Sequence, residues 1–80
     1  MNVLQLINFG SNELKGKKIL SHKLDSELIL SKVLNKRREE ILTDFDKIVN
    51  FENINTFKSL IERRSLKEPI AYIFREKEFW

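Results

Sequence analysis

The sequence predicts an all-α fold, a small bundle of four to five helices with a central second helix and an extended C-terminal exit. Three observations carry this. Ile54, Phe57, Leu60 and Ile61 form a stripe at helical spacing; Ser21 and Asn50 stand where helix N-caps are wanted; and Pro69 suits the first turn of a further helix. Eighty residues make one domain at most, hiding only roughly 60 to 65% of the unfolded chain's surface. With 41% apolar residues, six Phe, two Gly and one Pro, the composition is that of a folded chain with a small core.

The first helix spans about Val3 to Leu14 and places Leu4, Ile7 and Leu14 near one face, with Gly10 on the same side. A Gly inside a helix costs about 1 kcal/mol against Ala, so a neighbouring helix is expected to come close there. Gly16, among the lysines at 15, 17 and 18, marks the following loop and offers a left-handed helix end. Ser21 is expected to cap the second helix, about His22 to Leu34, its side-chain oxygen accepting from a free amide. Ile29, Leu30, Val33 and Leu34 fill a broad sector of that helix, and Leu24 with Leu28 extends it on another side. So wide a spread implies a central helix touched by several others, with Ser26 and Ser31 small enough to admit them.

The run Lys36 to Leu42 reads as a short third helix ending near Thr43, followed by an irregular stretch in which Phe45, Ile48 and Val49 anchor a loop to the core. Asn50 caps a fourth helix, about Phe51 to Ser65. Pro69 opens a short fifth helix to about Phe74, and Glu76 to Trp80 read as extended. Phe79 and Trp80 would have little chain left to cover them, the expectation for a chain that continues.

Catalytic equipment is sparse. One His and no Cys leave only His22 for a nucleophile–base pair, and beside a helix cap it is expected to be solvated. No second His lies at ligand spacing, and Asp44 and Asp46 alone make a weak calcium signal. No Gly-rich turn follows a strand, so no nucleotide or S-adenosylmethionine fingerprint is present. The absence of cysteine suits a reducing compartment, and no apolar run approaches membrane-spanning length, so a cytoplasmic protein without a membrane partner is expected.

The 15 basic and 12 acidic residues are interspersed, and no specific nucleic-acid partner is expected from a net charge of +3. A basic loop of Lys15, Lys17, Lys18 and Lys23 nonetheless keeps open a second reading, a free-standing helical adaptor for RNA or the ribosome. Arg37 and Arg38 meet Glu39 and Glu40 at once and read as a solvated helix start. Arg63 points away from the fourth helix's apolar stripe, whereas Arg64 falls back onto it. A buried guanidinium must be paired, and Asp25 or Glu27 on the central helix is the natural partner, with Asp25–Arg64 the expected ion pair. Tyr72 is expected to lock the fifth helix onto the core, its hydroxyl at the surface.

The stretch Arg63 to Trp80, with its Arg pair, Glu68-Pro69, Tyr72-Ile73 and Glu78-Phe79-Trp80, resembles the end of the N-terminal domain of the release-factor glutamine methyltransferases, the HemK/PrmC family. The stretch Ile19 to Leu30 is similar to that family's second-helix signature, with Leu24-Asp25-Ser26-Glu27 where a Leu-Asp-Ala-Glu run is usual. Arg75 stands where the family usually has Gly, and a residue with a Cβ pays about 1 kcal/mol or more in a left-handed conformation.

The resemblance implies a helical N-terminal substrate-docking domain over residues 1–74 and the start of a linker over 75–80. A methyltransferase domain absent from these 80 residues would follow. In the parent it implies S-adenosylmethionine as cofactor and the glutamine of the Gly-Gly-Gln loop of peptide-chain release factors as substrate. The cofactor pocket and the Asn-Pro-Pro-Tyr motif belong to the missing domain, so this chain alone should be inactive, with no catalytic, cofactor or metal residue. Arg63, Arg64, Tyr72, Phe79 and Trp80 become the candidates for docking the release factor or meeting the chain's own catalytic domain.

Overall fold

The structure, a computed structural model, describes residues 1–77. Five helices follow in chain order: α1 (Val3–Gly16), α2 (His22–Leu34), α3 (Arg38–Ile41), α4 (Phe51–Ser65) and α5 (Ile70–Lys77). α1 and α2 pack antiparallel across their lengths, α4 lies against both, α3 abuts α2, and α5 packs on α4. The core is a single cluster built from Leu6, Ile7, Leu14, Ile29, Leu30, Ile41, Phe57, Ile61 and Ile73 with their neighbours.

α1 starts on a capping box: Gln5 N donates to Asn2 Oδ1 at 2.8 Å, and Asn2 N donates to Gln5 Oε1 at 2.9 Å. Its buried face is Val3, Leu6, Ile7, Gly10, Ser11 and Leu14, so Ile7, Gly10 and Leu14 are covered as expected and Leu4 is not. Leu4 is 41% exposed because at 100° per residue it falls outside the arc of Ile7, Gly10 and Leu14, where Val3 sits instead. Gly16 keeps an ordinary conformation. The left-handed residue of the loop is Lys18 (φ 63°), and Lys67 (φ 74°) and Asn35 (φ 56°) are the other non-glycines of this kind among the described residues. A left-handed residue with a Cβ costs roughly 1–2 kcal/mol, less for Asn, whose short polar side chain bonds locally.

α2 is the central helix, with Ile29, Leu30 and Val33 buried together with Asp25, Ser26, Glu27 and Ser31. Leu24, expected to widen the apolar sector, is 45% exposed. Ser21 does not cap by accepting from an amide; its hydroxyl donates to Asp25 Oδ2 at 2.9 Å, since that carboxylate is the stronger acceptor.

α3 is shorter than expected, Arg38–Ile41, and Glu40 Oε1 accepts from the Arg37 amide at 3.0 Å. The 44–49 loop is anchored by its backbone: Val3 N donates to Lys47 O, Leu4 N to Phe45 O and Val49 N to Met1 O. The first two satisfy first-turn amides of α1 that would otherwise lack partners. Val49 is buried as expected, whereas Phe45 and Ile48 are 38% and 73% exposed, because the pairing needs no side chain. Asn50 caps α4 by accepting from Asn53 N at 2.8 Å. α5 begins after Pro69 and runs to Lys77, so the first two residues expected to be extended are helical; 78–80 lie outside the described residues. Arg75 accordingly sits inside a helix, where a Cβ costs nothing.

Gly10 is where three helices converge. A Cβ there would stand 2.8 Å from Ile61 Cδ1 and from Phe57 Cζ and would overlap Ser26 Oγ. Gly10→Ala is therefore expected to destabilise the fold by about 2 kcal/mol, overpacking outweighing the helix propensity gained. Urea unfolding measures this, and Ser26→Ala in the same chain should recover part of the loss. The hydrogen bond from the Arg37 amide holds the Glu40 carboxyl below its ordinary 4.5, so α3's start is held fully above that value and frays as the pH falls through the depressed one. The Arg37 amide resonance should shift over that acid range and stay constant in Glu40→Gln.

Candidate docking surface and its buried ion pairs

Two carboxylates on α2 organise the site. Asp25 and Glu27 are 5% and 4% exposed. At 100° per residue they point about 200° apart, so one cation cannot serve both. Arg64, near the end of α4, donates from Nε to Asp25 Oδ2 at 3.0 Å and from Nη1 to the Glu68 carbonyl at 3.0 Å. Arg38, at the start of α3, donates from Nε to Glu27 Oε1 at 2.8 Å. Arg38 is thus a partner of a buried carboxylate rather than part of a solvated helix start. The signal in the sequence was the opposed azimuth of the two acids, which demands a second arginine.

Arg63 points away from the stripe, and its Nε donates to Glu68 Oε2 at 2.6 Å. Its guanidinium also faces the Tyr72 ring, 5.9 Å from the centroid. Tyr72 is 54% exposed and does not lock α5 onto the core; Ile73, the next residue round the helix, is fully buried and does so, with Ile70 and Phe74 partly covered beside it. Phe79 and Trp80 lie outside the described residues. Among the sequence candidates the structure therefore brings Asp25 to Arg64 and Arg63 to Tyr72.

His22 is half-buried rather than fully solvated, and Ser11 Oγ lies 2.6 Å from its Nδ1. That is the separation of a nucleophile and its base, but the contact joins the second helix's first residue to a largely buried serine in the middle of α1. It acts as a clasp between the helices. Neither of two clefts includes these residues: one of about 260 Å³ is bounded by Phe9, Glu13, Lys58 and Ile61, another of about 320 Å³ by Lys32, Lys36, Glu40 and Phe74.

Among the described residues no His, Asp and Glu side chains gather as metal ligands, and no helix is long and apolar enough to cross a membrane. The described residues hold no β-strand beyond an isolated bridge between Asn2 and Ile48. The buried charges belong to the fold, since every buried side-chain nitrogen or oxygen among the described residues has a partner.

The class the fold defines is a small helical bundle whose buried polar side chains, among the described residues, are all paired. The match to known sequences agrees: residues 5–74 match the family model described as the PrmC N-terminal domain. The chain belongs to that family. It is 45% identical over 60 residues to the release factor glutamine methyltransferase of Aliivibrio fischeri, covering 75% of this chain and 21% of that protein. The release factor glutamine methyltransferase of Leptospira interrogans is 33% identical over 79 residues, 99% of this chain and 28% of its own length. A bifunctional methyltransferase of Rickettsia felis is 37% identical over 79 residues, with 99% of this chain and 15% of that protein covered. The chain thus spans between about a seventh and just over a quarter of these relatives. No solved structure matches it.

Arg64→Met leaves Asp25 charged and buried without its partner. Its expected cost is about 3–5 kcal/mol. In Asp25→Asn with Arg64→Met the loss should be clearly smaller than the sum of the single losses, which a double-mutant cycle in urea measures.

Proposed function

We propose that this domain docks a class I peptide-chain release factor for a methyltransferase domain that follows it in the same polypeptide. That domain would transfer a methyl group from S-adenosylmethionine to the side-chain amide of the glutamine in the release factor's Gly-Gly-Gln loop. The observation that supports this is the match of most of the chain to the model of an N-terminal domain and to a part of relatives named release factor glutamine methyltransferase. Residues 1–74 are the docking domain and 75–80 lead toward the catalytic domain, the lead-in beginning as helix because α5 runs through Lys77.

The physical task suits a rigid module. A loop glutamine reacts only when held in near-attack geometry, and a placement error of about 1 Å costs on the order of a hundredfold in rate. A bundle whose interior charges are paired across helices holds its surface to that tolerance better than a loop would. The chain by itself then supplies contact and no chemistry, and its home is the cytoplasm, where release factors work.

The test is competition. Excess chain added to a full-length relative should raise the apparent KM for a purified class I release factor and leave kcat unchanged, and the chain alone should transfer no label from S-adenosylmethionine. Methyl transfer by the chain alone would overturn the reading, as would a lack of both inhibition and release-factor binding. Salt-dependent RNA binding lost on charge reversal at Lys15, Lys17, Lys18 and Lys23 would favour the adaptor reading instead.

A further inference from the structure

One end of the bundle gathers five exposed lysines. Lys15 and Lys17 lie at the end of α1, Lys18 and Lys23 flank the start of α2, and Lys67 sits between α4 and α5. The two loops are joined twice. Lys67 Nζ donates to the Lys17 carbonyl at 2.6 Å, and a relay of hydrogen bonds runs from Ser21 through Asp25 and Arg64 to the Glu68 carbonyl.

Between these lysines stand leucines that the fold does not bury: Leu20 is 97% exposed, Leu66 70% and Leu24 45%. Of the carboxylates at this end, Asp25 is committed to Arg64 and Glu68 to Arg63, while Glu13 and Glu62, in the last turns of α1 and α4, form no ion pair among the described residues and are outnumbered by the five lysines. Lys15, Lys17, Lys18 and Lys23 pair with no carboxylate among the described residues. The local charge is therefore left for a partner to answer.

Backbone conformation adds a second, independent observation. Lys18 and Lys67 both occupy the left-handed region, where folding stability alone would place Gly or Asn. Gly16 stands two residues away and is not used for it. Lys67 has a structural use there in its bond to the Lys17 carbonyl, whereas the Lys18 side chain has none among the described residues, and a charged side chain kept where the backbone disfavours it points to a use other than stability.

The geometry points to this end as the docking surface for the release factor: Leu20 and Leu66, ringed by Lys17, Lys18, Lys23 and Lys67, meet an acidic face that carries an apolar recess. The inference rests on the docking reading above and adds to it the face and the chemistry of the contact. A second copy of this chain would bring lysines against lysines, which the same charge forbids. Nucleic acid fits less well. The apolar groups here are leucines, which cannot stack on bases, and Arg63 and Arg64 spend their guanidinium groups on carboxylates rather than phosphates.

Titration of the chain with a purified class I release factor tests this through three variants, each with its own thermal melt. Leu20→Asp, at a solvated side chain, should keep its Tm and bind about tenfold or more weakly. Lys18→Gly relieves the left-handed strain and should raise Tm by about 3 °C. The same change should weaken binding about threefold at low salt, a gain in stability with a loss of affinity that a purely structural lysine would not produce. Ile48→Ser, at the opposite end, should bind within about twofold of the parent.

Parental affinity in Leu20→Asp and Lys18→Gly together with a loss in Ile48→Ser would move docking to the other end and overturn the proposal. So would parental release-factor affinity in Leu20→Asp combined with binding of poly(U) that fails in Lys18→Gly, which would make the surface one for nucleic acid. If the unaltered chain does not bind the release factor at all, the docking reading itself falls, an outcome separate from these.

Discussion

Everything in this bundle depends on how closely α1 approaches α2 at Gly10. Without a Cβ at that position the first helix settles onto Ser26, and the ends of Phe57 and Ile61 from α4 fill the same junction. Ser26 turns its hydroxyl to the α1 backbone and donates to the Ile7 carbonyl at 2.8 Å. Gly inside a helix costs about 1 kcal/mol relative to Ala. The fully buried Phe57, Leu6 and Ile61 beside it can each contribute about 1.5–3 kcal/mol through burial, so the close approach wins.

The close approach leaves α2 surrounded, which explains why its polar residues must be answered from other helices. Asp25 and Glu27 take arginines from α4 and α3 respectively. Buried pairs of this kind add little net stability, because desolvation offsets much of their attraction, yet losing one partner is expensive. Their effect is to select one arrangement: α4 cannot slide along α2 without uncovering Asp25, and α3 cannot swing away without uncovering Glu27. The same Arg64 that pairs with Asp25 holds the Glu68 carbonyl, so the register of the core extends into the loops that carry the surface lysines.

Much of this architecture was legible from local chemistry. The bounds of α2 and α4 follow from apolar spacing and from Ser21, Asn50 and the chain breaks around them, because the period and the position of a cap are properties of a few neighbouring residues. Gly10 announced a close approach for the same reason. The remaining features depend on relations between helices that no single period encodes. Leu4 was the exception that the period itself could have corrected, since at 100° per residue Val3 falls inside the arc of Ile7, Gly10 and Leu14 whereas Leu4 falls outside it. The 44–49 loop is held by backbone bonds, which have no side-chain signature, so Phe45 and Ile48 invited the wrong anchor. Asp25 was matched with Arg64 from helix phase alone, whereas Arg38 was hidden by its acidic neighbours Glu39 and Glu40, which face elsewhere.

A docking module for an enzyme has to satisfy two opposed demands, and the structure is consistent with dividing them between different parts of the chain. Orientation needs rigidity, and the paired interior provides it. Turnover needs release, so the contact itself should not be tight; a surface in which lysines ring a few leucines speeds and steers encounter more than it prolongs residence. On the docking reading, spreading that charge over loops fastened to the core by Arg64 and Lys67 would keep the steering groups in register with the bundle. Placing Lys at two left-handed positions gives up some stability, roughly 1–2 kcal/mol at each, in a domain that by its size holds only about 4–12 kcal/mol in total. Such a concession lasts only where the side chain matters more than the backbone it strains, and on the docking reading its use is to bring a much larger protein to the right angle and then let it go.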